Sequence, residues 1–284
     1  MTERGCWVYA VTDRGPAPDL SRLTGVAGTK VRQARAAGMI ALISDVDLAE
    51  FGADALRRNL EDLQWLERTA RAHHEVIDAA SRVLPLLPMR LATVYHGETT
   101  LAEDLEARRE DFLDALERVG GRVEWGVKAY AQPQPGRGAP GGGGDAGAAG
   151  TTGEGAPAEG APGERTPAES GAPGGGGAGM AYLKKRRAQM TASQDARRDA
   201  VASARAVHAG LARHAAQARL HPPQAPALSG ERTPMLLNAA YLLSQSEGTG
   251  FAEAVAAAAA AHPELRVELT GPWPPYSFAG EDAG

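Results

Sequence analysis

The densest histidine cluster in the sequence is His73-His74-Glu75. If these side chains formed a functional site, they would bind a metal ion or transfer protons. Adjacent residues on a helix point about 100° apart, so neighbouring histidines share one ion poorly. The zinc spacing His-Glu-x-x-His is absent. His208 and His214 are six positions apart, which is also poor helical spacing for one ligand site. We therefore interpret one residue of the pair as a core histidine and the other as solvent-facing.

Other catalytic signatures are also missing. The glycine tracts Gly141–Gly144 and Gly174–Gly177 are not followed by Gly-Lys-Ser/Thr, so they do not read as phosphate loops. Cys6 lies in a predicted strand with no histidine nearby, which favours a small buried hydrophobic residue over a nucleophile. There is no Gly-x-Ser-x-Gly elbow. The sequence predicts a protein that is not an enzyme and that needs no metal or cofactor.

Composition narrows the function classes further. The chain has 284 residues, a net charge of -5 and one cysteine. A net acidic protein is a poor partner for nucleic acid, and a lone cysteine cannot form an intramolecular disulfide. No signal-peptide pattern opens the sequence, and no run approaches the ~20 apolar residues of a membrane span. We expect a soluble, cytoplasmic protein.

A Gly/Pro/Ala-rich segment divides the chain. Residues 133–179 hold 18 of the 35 glycines and 7 of the 19 prolines, with no Val, Ile, Leu, Met or aromatic residue. Such a segment cannot bury enough apolar surface to offset a chain entropy of about 1–2 kcal/mol per residue. The sequence predicts two small α+β domains, 1–132 and 180–284, joined by a disordered linker at 133–179.

Apolar periodicity predicts the elements of both parts. Residues with β propensity and alternation indicate strands, and apolar residues at three- and four-residue steps indicate helices. In the first part these are strands at 6–11, 39–44, 86–95 and 122–131 and helices at 63–84 and 98–119. In the second they are helices at 180–220 and 250–261 and strands at 235–244 and 265–269. A ferredoxin-like arrangement is the expectation for the C-terminal domain.

Two segments stand out as candidate partner-binding sites. The basic run Lys184, Lys185, Arg186, Arg187 is either the solvent-exposed first turns of a long helix or a site for an acidic partner. Basic residues oppose the helix dipole if the helix starts close to them, and this small penalty slightly favours a partner. Near the C-terminus, prolines stiffen a segment that carries Trp273, Tyr276 and Phe278, large aromatic anchors that must pack somewhere. They would pack on their own domain or on another chain.

The C-terminal sequence Leu269–Phe278 resembles the C-terminal signature of the gas vesicle GvpL/GvpF family. Leu86–Val94 is similar to the central strand of that family, and Tyr182–Arg186 and Leu237–Leu242 match it as well. The resemblance covers both predicted domains and leaves out the linker.

The resemblance implies a non-enzymatic accessory protein of gas vesicle assembly, found in the cytoplasm and at the gas vesicle. Its implied partners are the hydrophobic shell protein GvpA and other accessory proteins. A shell subunit exposes large apolar surfaces before assembly, and a chaperone-like protein can cover them. We expect Trp273, Tyr276 and Phe278 to act as anchors, with Arg90 and the basic run Lys184–Arg187 steering the approach.

Two alternatives stay open. The protein could be a minor structural component of the vesicle wall. It could also be a ferredoxin-like small-molecule sensor or enzyme, which the absence of clustered polar site residues disfavours.

Overall fold

The computed structural model describes residues 3–13, 20, 23–132, 175–224 and 233–280. Residues 1–132 and 201–284 form one compact unit, and residues 133–200 form another. The protein is of mixed α/β type, with two antiparallel sheets. Both sheets belong to the unit of residues 1–132 and 201–284. Most of the segment predicted as a linker, 133–174, lies outside the described residues.

The first sheet is built from five strands in the order β2-β3-β1-β4, with β5 also paired to β1. Its strands are β1 (Arg4–Thr12), β2 (Arg32–Ala36), β3 (Met39–Asp47), β4 (Leu87–Pro88) and β5 (Val94–Tyr95). Its helices are α1 (Leu48–Phe51), α2 (Ala53–Asn59), α3 (Leu63–Ser81), α4 (Glu98–Ala107) and α5 (Arg109–Val119). Asp62 caps α3 by accepting hydrogen bonds from the first turn of the helix.

The second sheet has four strands in the order β7-β8-β6-β9, and every neighbouring pair is antiparallel. Its strands are β6 (Arg122–Ala131), β7 (Gln217–Leu220), β8 (Met235–Ser244) and β9 (Leu265–Trp273). Its helices are α6 (Gly175–Ala212) and α7 (Gly248–Ala261). The part of α6 from Val201 onward belongs to the same unit as the sheets, and buries its apolar side chains Ala204, Val207 and Leu211.

Side-chain alternation on β1 separates two cores. Successive residues of a strand point to opposite faces of the sheet. Trp7 and Tyr9 therefore join a cluster with the α3 residues Val76 and Ile77. On the other face, Cys6 joins a cluster that also contains residues of α4, α5 and β8. This second core connects the two sheets.

His73 lies in the first of these cores and is 3% exposed. Its Nδ1 accepts a hydrogen bond from Trp7 Nε1 at 2.9 Å, and its Nε2 lies 3.1 Å from the carbonyl of Met89. A neutral imidazole with its proton on Nε2 satisfies both bonds. Burial lowers the pKa of His73 to about 4, with the hydrogen bond to Met89 opposing this and the neighbouring His74 adding to it. The prediction of a core histidine is confirmed.

Strand β6 corrects the predicted content of the first domain. The alternation of residues 122–131 is confirmed as a strand, but it pairs with β8 and β9 of the second sheet. Alternation in the sequence predicts that a segment is a strand with one buried face. It does not predict the partner strands, which here lie more than 100 residues away and are determined by tertiary packing. The division into 1–132 and 180–284 stays a prediction, and β6 is built into the sheet of the later part of the chain.

Other elements differ in their boundaries. The strand predicted at 86–95 is two short strands, because the chain turns between them and Ala92 has a φ of 65°. The helix predicted at 98–119 breaks at Arg108, where φ is -115°. The helix predicted at 180–220 begins earlier, at Gly175, and ends at Ala212, and the edge strand β7 follows it. The short elements β2, α1 and α2 were not predicted.

Candidate functional site

The C-terminal aromatic segment forms a strap, which we define as residues 271–280. Strand β9 ends at Trp273, and the next two residues, Pro274 and Pro275, have no N–H to continue the sheet. A short 3₁₀ helix follows at Tyr276–Phe278. The two prolines therefore end the strand, and the chain turns back. As a result, the side chains of Trp273, Tyr276 and Phe278 point in different directions.

Phe278 belongs to the protein's own core. It is 2% exposed and joins the cluster that connects α5 with Ala240 and Leu242 of β8. The guanidinium of Arg219 lies 5.7 Å from the centre of its ring, and Arg118 Nε donates to its carbonyl at 3.4 Å. In this conformation the Phe278 ring is not accessible to a partner, so its stabilising role is internal.

Tyr276 and His74 connect the strap to helix α3. The Tyr276 hydroxyl lies 3.3 Å from His74 Nδ1, and the His74 ring packs against the rings of Tyr276 and Trp273. Burial raises the pKa of Tyr276, so the phenol stays neutral. His74 was expected to face solvent. The structure corrects this, because the strap returns to α3 from a distance of about 200 residues in sequence.

A polar cluster of Glu124, Ser277 and His221 anchors the middle of the strap. Ser277 donates its backbone N–H to Glu124 Oε2 at 2.7 Å and its hydroxyl to Glu124 Oε1 at 2.6 Å. His221 Nε2 lies 3.2 Å from Ser277 Oγ. Burial raises the pKa of Glu124, and the two bonds from Ser277 oppose that rise.

The geometry of this cluster does not activate a nucleophile. Since Ser277 gives its only hydroxyl proton to Glu124, its oxygen is left to accept from His221 rather than to donate to it. In a serine nucleophile the histidine takes that proton. The cluster therefore works as a clamp, with one carboxylate holding two donors of the strap.

Beside the strap an open groove of about 1010 Å³ runs between the ends of α3 and α5. Its apolar lining includes Val83, Pro272 and Trp273, and the side chains of Val83 and Trp273 are 56% and 45% exposed. Charged residues on the rim are partly neutralised, since Arg82 pairs with Asp78 at 2.7 Å. The groove offers a mixed surface in which one exposed indole is the largest apolar group.

The predicted site residues fall into three groups. Trp273, Tyr276 and Phe278 are brought together in the strap, but only Trp273 is well exposed. Arg90 is exposed, and its guanidinium occupies the space that a side chain at Gly280 would need. The basic residues Lys184–Arg187 are all exposed on α6, within the unit of residues 133–200.

Sequence reasoning missed the residues that hold the strap. Glu124 was the one available signal, because it is a carboxylate in the middle of an alternating apolar strand. His221 and Ser277 give no local signal, since His221 follows β7 in an irregular stretch, Ser277 lies in a three-residue 3₁₀ helix, and the two meet only when the strap folds back.

Neither metal binding nor membrane spanning is indicated within the described ranges. Among these residues no group of three or more His, Cys, Asp or Glu side chains is placed to hold an ion. In the same part of the chain, no helix is both long and apolar enough to cross a bilayer.

Comparisons with known proteins identify relatives of this chain by sequence and by structure. The family model described as gas vesicle synthesis protein GvpL/GvpF matches residues 5–280. The chain is 38% identical over 282 residues to gas vesicle protein L of Streptomyces sp. (strain CB03234), covering 98% of this chain and 94% of that protein.

Two crystal structures share the fold. One is the gas vesicle protein GvpF from Anabaena sp. PCC7120, with a TM-score of 0.61 at 17% identity over 98% of this chain and 96% of that one. The other is GvpF from Microcystis aeruginosa, with a TM-score of 0.60 at 15% identity over 97% of this chain and 99% of that one. The family match over nearly the whole length and the close relative together show that this chain belongs to the GvpL/GvpF family of gas vesicle synthesis proteins.

Proposed function

We propose that this chain is a non-enzymatic, chaperone-like assembly factor that holds the shell protein GvpA through the groove beside the strap. The observation that carries the proposal is an exposed indole, Trp273, in an open groove of about 1010 Å³ on a member of a gas vesicle synthesis family. Exposed apolar surface that forms a groove marks a protein-binding site more often than isolated exposed residues do.

The anchoring of the strap supports this proposal. The Glu124 clamp at Ser277 and the buried ring of Phe278 fix the strap after Tyr276, and the pairing of β9 with β6 fixes the chain up to Trp273, so Trp273 is presented on a stiff support. A preorganised aromatic side chain loses little conformational freedom on binding, which favours affinity. The internal residues of the strap position the anchor, and Trp273 makes the contact.

Arg90 and the basic run Lys184–Arg187 are proposed to steer the approach of partners, which include other accessory proteins of the vesicle. Their exposure supports this role, since exposed charges change association rates more than they change affinity. We place the protein in the cytoplasm and at the growing vesicle.

We also propose that the second sheet with its helices is a ferredoxin-like domain that contains β6. The element order is β6-α6-β7-β8-α7-β9, and the sheet order is β7-β8-β6-β9 with antiparallel neighbours. This is the split β-α-β arrangement of two βαβ units sharing one sheet. The domain would then begin near residue 122, and the linker would be an insertion within it.

The test is co-expression with GvpA followed by pull-down from the clarified lysate. We expect the wild-type chain to retain GvpA, and Trp273→Ala to lose at least ten-fold of the captured amount, because the indole is the largest exposed apolar group of the groove. Val83→Ser should give a smaller loss in the same direction. The matched control is Leu63→Ala, which removes a 78% exposed side chain that does not line the groove.

Equal capture by Trp273→Ala and Leu63→Ala would reject the groove as the contact site. A wild-type chain that captures neither GvpA nor any sibling accessory protein would reject the function itself. Mass spectrometry of washed vesicles separates the wall-component alternative, since an assembly factor should be depleted there relative to the lysate.

A further inference from the structure

Strand β9 forms an edge of the second sheet. It pairs with β6 on one side, and within the described ranges no strand pairs with its other side. An open edge presents backbone N–H and C=O groups that can pair with another chain. The edge is long enough for such pairing, since β9 spans Leu265–Trp273.

The pairing with β6 fixes which backbone groups of β9 point outward. Gln132, which follows β6, donates its N–H to the carbonyl of Glu264 at 2.8 Å, so that carbonyl points toward β6. Along an antiparallel strand, successive residues point their backbone groups to opposite sides in turn. Because the register with β6 is regular here, the backbone groups of Leu265, Val267 and Leu269 point away from β6.

These outward groups lie in a segment that reads nearly the same in both directions. Residues 265–269 are Leu-Arg-Val-Glu-Leu, with Val267 at the centre and opposite charges at Arg266 and Glu268. When two copies of this segment pair antiparallel about Val267, each leucine lies opposite a leucine and each arginine lies opposite a glutamate. Apolar pairs and opposite-charge pairs across neighbouring strands stabilise a sheet.

Arg266 and Glu268 already form an ion pair within one copy. Their side chains are 36% and 35% exposed, and the guanidinium of Arg266 also lies 4.5 Å from the centre of the Tyr130 ring. In the paired arrangement each charge exchanges its partner for the same residue type of the second copy, so no charge is left without a partner. Since exposed ion pairs contribute little stability, these charges mainly select the register.

We propose that β9 of one copy of this chain pairs antiparallel with β9 of a second copy, about a two-fold axis at Val267. Val267 exchanges both of its backbone hydrogen bonds with Val267 of the second copy, and the N–H of Leu269 donates to the carbonyl of Leu265. The N–H of Leu265 is not needed, because it donates to His262 at 2.9 Å. The two edge strands then join both sheets into one continuous sheet in a closed dimer.

Neighbouring registers fit less well. Only an outward-pointing residue can lie at the centre, so the alternatives are centred two residues earlier or two residues later. The first sets Val267 against Pro263, which has no N–H to donate, and the second sets Glu268 against Thr270. One register therefore combines complementary charges with backbone hydrogen bonds.

The other edges of the two sheets fit a second copy less well. Strand β4 has two residues and ends in proline, and β7 has four residues. Strand β2 has five residues, but pairing it with itself about Ala34 sets Gln33 against Arg35, which are not opposite charges.

The proposed contact is separate from the groove beside the strap. None of residues 265–269 lines that groove, so a dimer presents two grooves, each with its own Trp273. Two binding surfaces on one dimer raise the effective concentration at a target with repeated sites. The proposal does not depend on capture of GvpA, because it is tested on the purified chain alone.

The test is the molar mass of the full purified chain by sedimentation equilibrium. We expect the wild-type chain to dimerise, and Arg266→Glu and Glu268→Arg each to weaken the dimer at least ten-fold, because like charges then meet across the two-fold axis. The double variant Arg266→Glu/Glu268→Arg exchanges the two charges and should dimerise again. The control Arg35→Glu reverses an exposed charge on the edge strand β2 and should dimerise as the wild type does.

Mixing the two single variants provides the decisive measurement. One copy then carries two acidic side chains at these positions and the other carries two basic side chains, so the charges are complementary only between unlike copies. We expect an equimolar mixture to form one-to-one dimers.

A backbone variant tests the hydrogen bonds of the edge. Val267→Pro removes an outward N–H and should be monomeric, whereas its control Val267→Thr keeps the N–H and the β-branched shape and should dimerise.

A wild-type chain that stays monomeric at submillimolar concentration would overturn the proposal, as would a mixture of the single variants that stays monomeric. A dimer that persists unchanged in Val267→Pro and in both single variants would place the contact on another face, with the same consequence. A monomeric chain that captures GvpA, and loses it in Val267→Pro but not in Val267→Thr, would assign the edge to the shell protein instead of a second copy.

Discussion

The two sheets have the same strand order but are packed differently. In each, the second strand along the chain lies at one edge, followed by the third, the first and the fourth, as β2-β3-β1-β4 and β7-β8-β6-β9. Residues 5–12 of β1 are all buried, whereas most of β6 is only half-buried. Helices cover both faces of the first sheet, so β1 is a core element, whereas the equivalent strand β6 of the second sheet is bonded to the strap at Glu124.

The comparison shows how one topology can serve two purposes. The first sheet is stabilised by apolar burial around Trp7 and His73. The second is completed by a polar clamp at Glu124 and by Phe278, which enters the core between the sheets. We expect the first region to set global stability and the strap region to set the position of Trp273 in the proposed binding groove.

The largest effect should come from Trp7→Ala. Trp7 is fully buried and donates to His73, so truncation leaves a cavity and removes a buried hydrogen bond. We expect a loss of about 4 kcal/mol in the free energy of unfolding, measured by urea titration. Trp125→Ala, at the half-buried indole of the second sheet, is the matched control and should cost about half as much. Equal losses would contradict the difference between the two sheets.

The next effect is the loss of folding stability in acid that arises from the buried His73. The pKa of folded His73 is lowered to about 4, below its ordinary value of 6.5. The stability from its neutral form is therefore present above pH 6.5 and is lost as the pH falls through about 4. The total loss at its limit is about 3 kcal/mol. Unfolding free energies from pH 7 to pH 4 should fall less steeply in His73→Leu than in the wild type, and identical slopes would refute this role.

A smaller effect is expected at Gly271, where the chain enters the strap. Its φ is 118°, and a Cβ there would lie 2.8 Å from the carbonyl oxygen of Glu124. Gly271→Ala should destabilise by roughly 1–3 kcal/mol and should reduce GvpA capture by moving Trp273. The control is Gly210→Ala on α6, where a Cβ has space and alanine should stabilise by about 0.5–1 kcal/mol. Destabilisation of the same size at both positions would count against the steric argument.

The smallest expected effect is the pH dependence of stability at Glu124, which has the opposite sign to that at His73. Burial raises the pKa of Glu124, so its contribution to folding is present at low pH and is lost as the pH rises through the folded pKa. Acid should therefore lower the stability through His73 and raise it at Glu124, because protonation removes the cost of burying the charge of the Glu124 carboxylate. Thermal unfolding of Glu124→Gln across pH 4 to 8 should lack this component. A Glu124→Gln profile parallel to the wild type would contradict it.

Prediction from sequence worked where local pattern decided the outcome. The strands at β1, β3, β6 and β8 and the helix α3 follow from alternation and from three- and four-residue apolar spacing. Prediction failed for β7, because its four residues are mostly exposed and the edge strand exists only through pairing with β8. It also failed for the partner strands of β6. The backbone groups that hydrogen-bond along a strand edge are the same in every residue except proline, so the sequence of β6 does not say which strand it pairs with.

The sequence by itself determined most of the longer local elements and the family, because periodicity, prolines and the final motif are properties of neighbouring residues. The tertiary structure decided which sheet β6 joins, that Phe278 is buried while Trp273 is exposed, and that Glu124 meets Ser277 from 153 positions away. Contacts between residues so far apart form when packing and loop closure bring them together, so no local pattern encodes them.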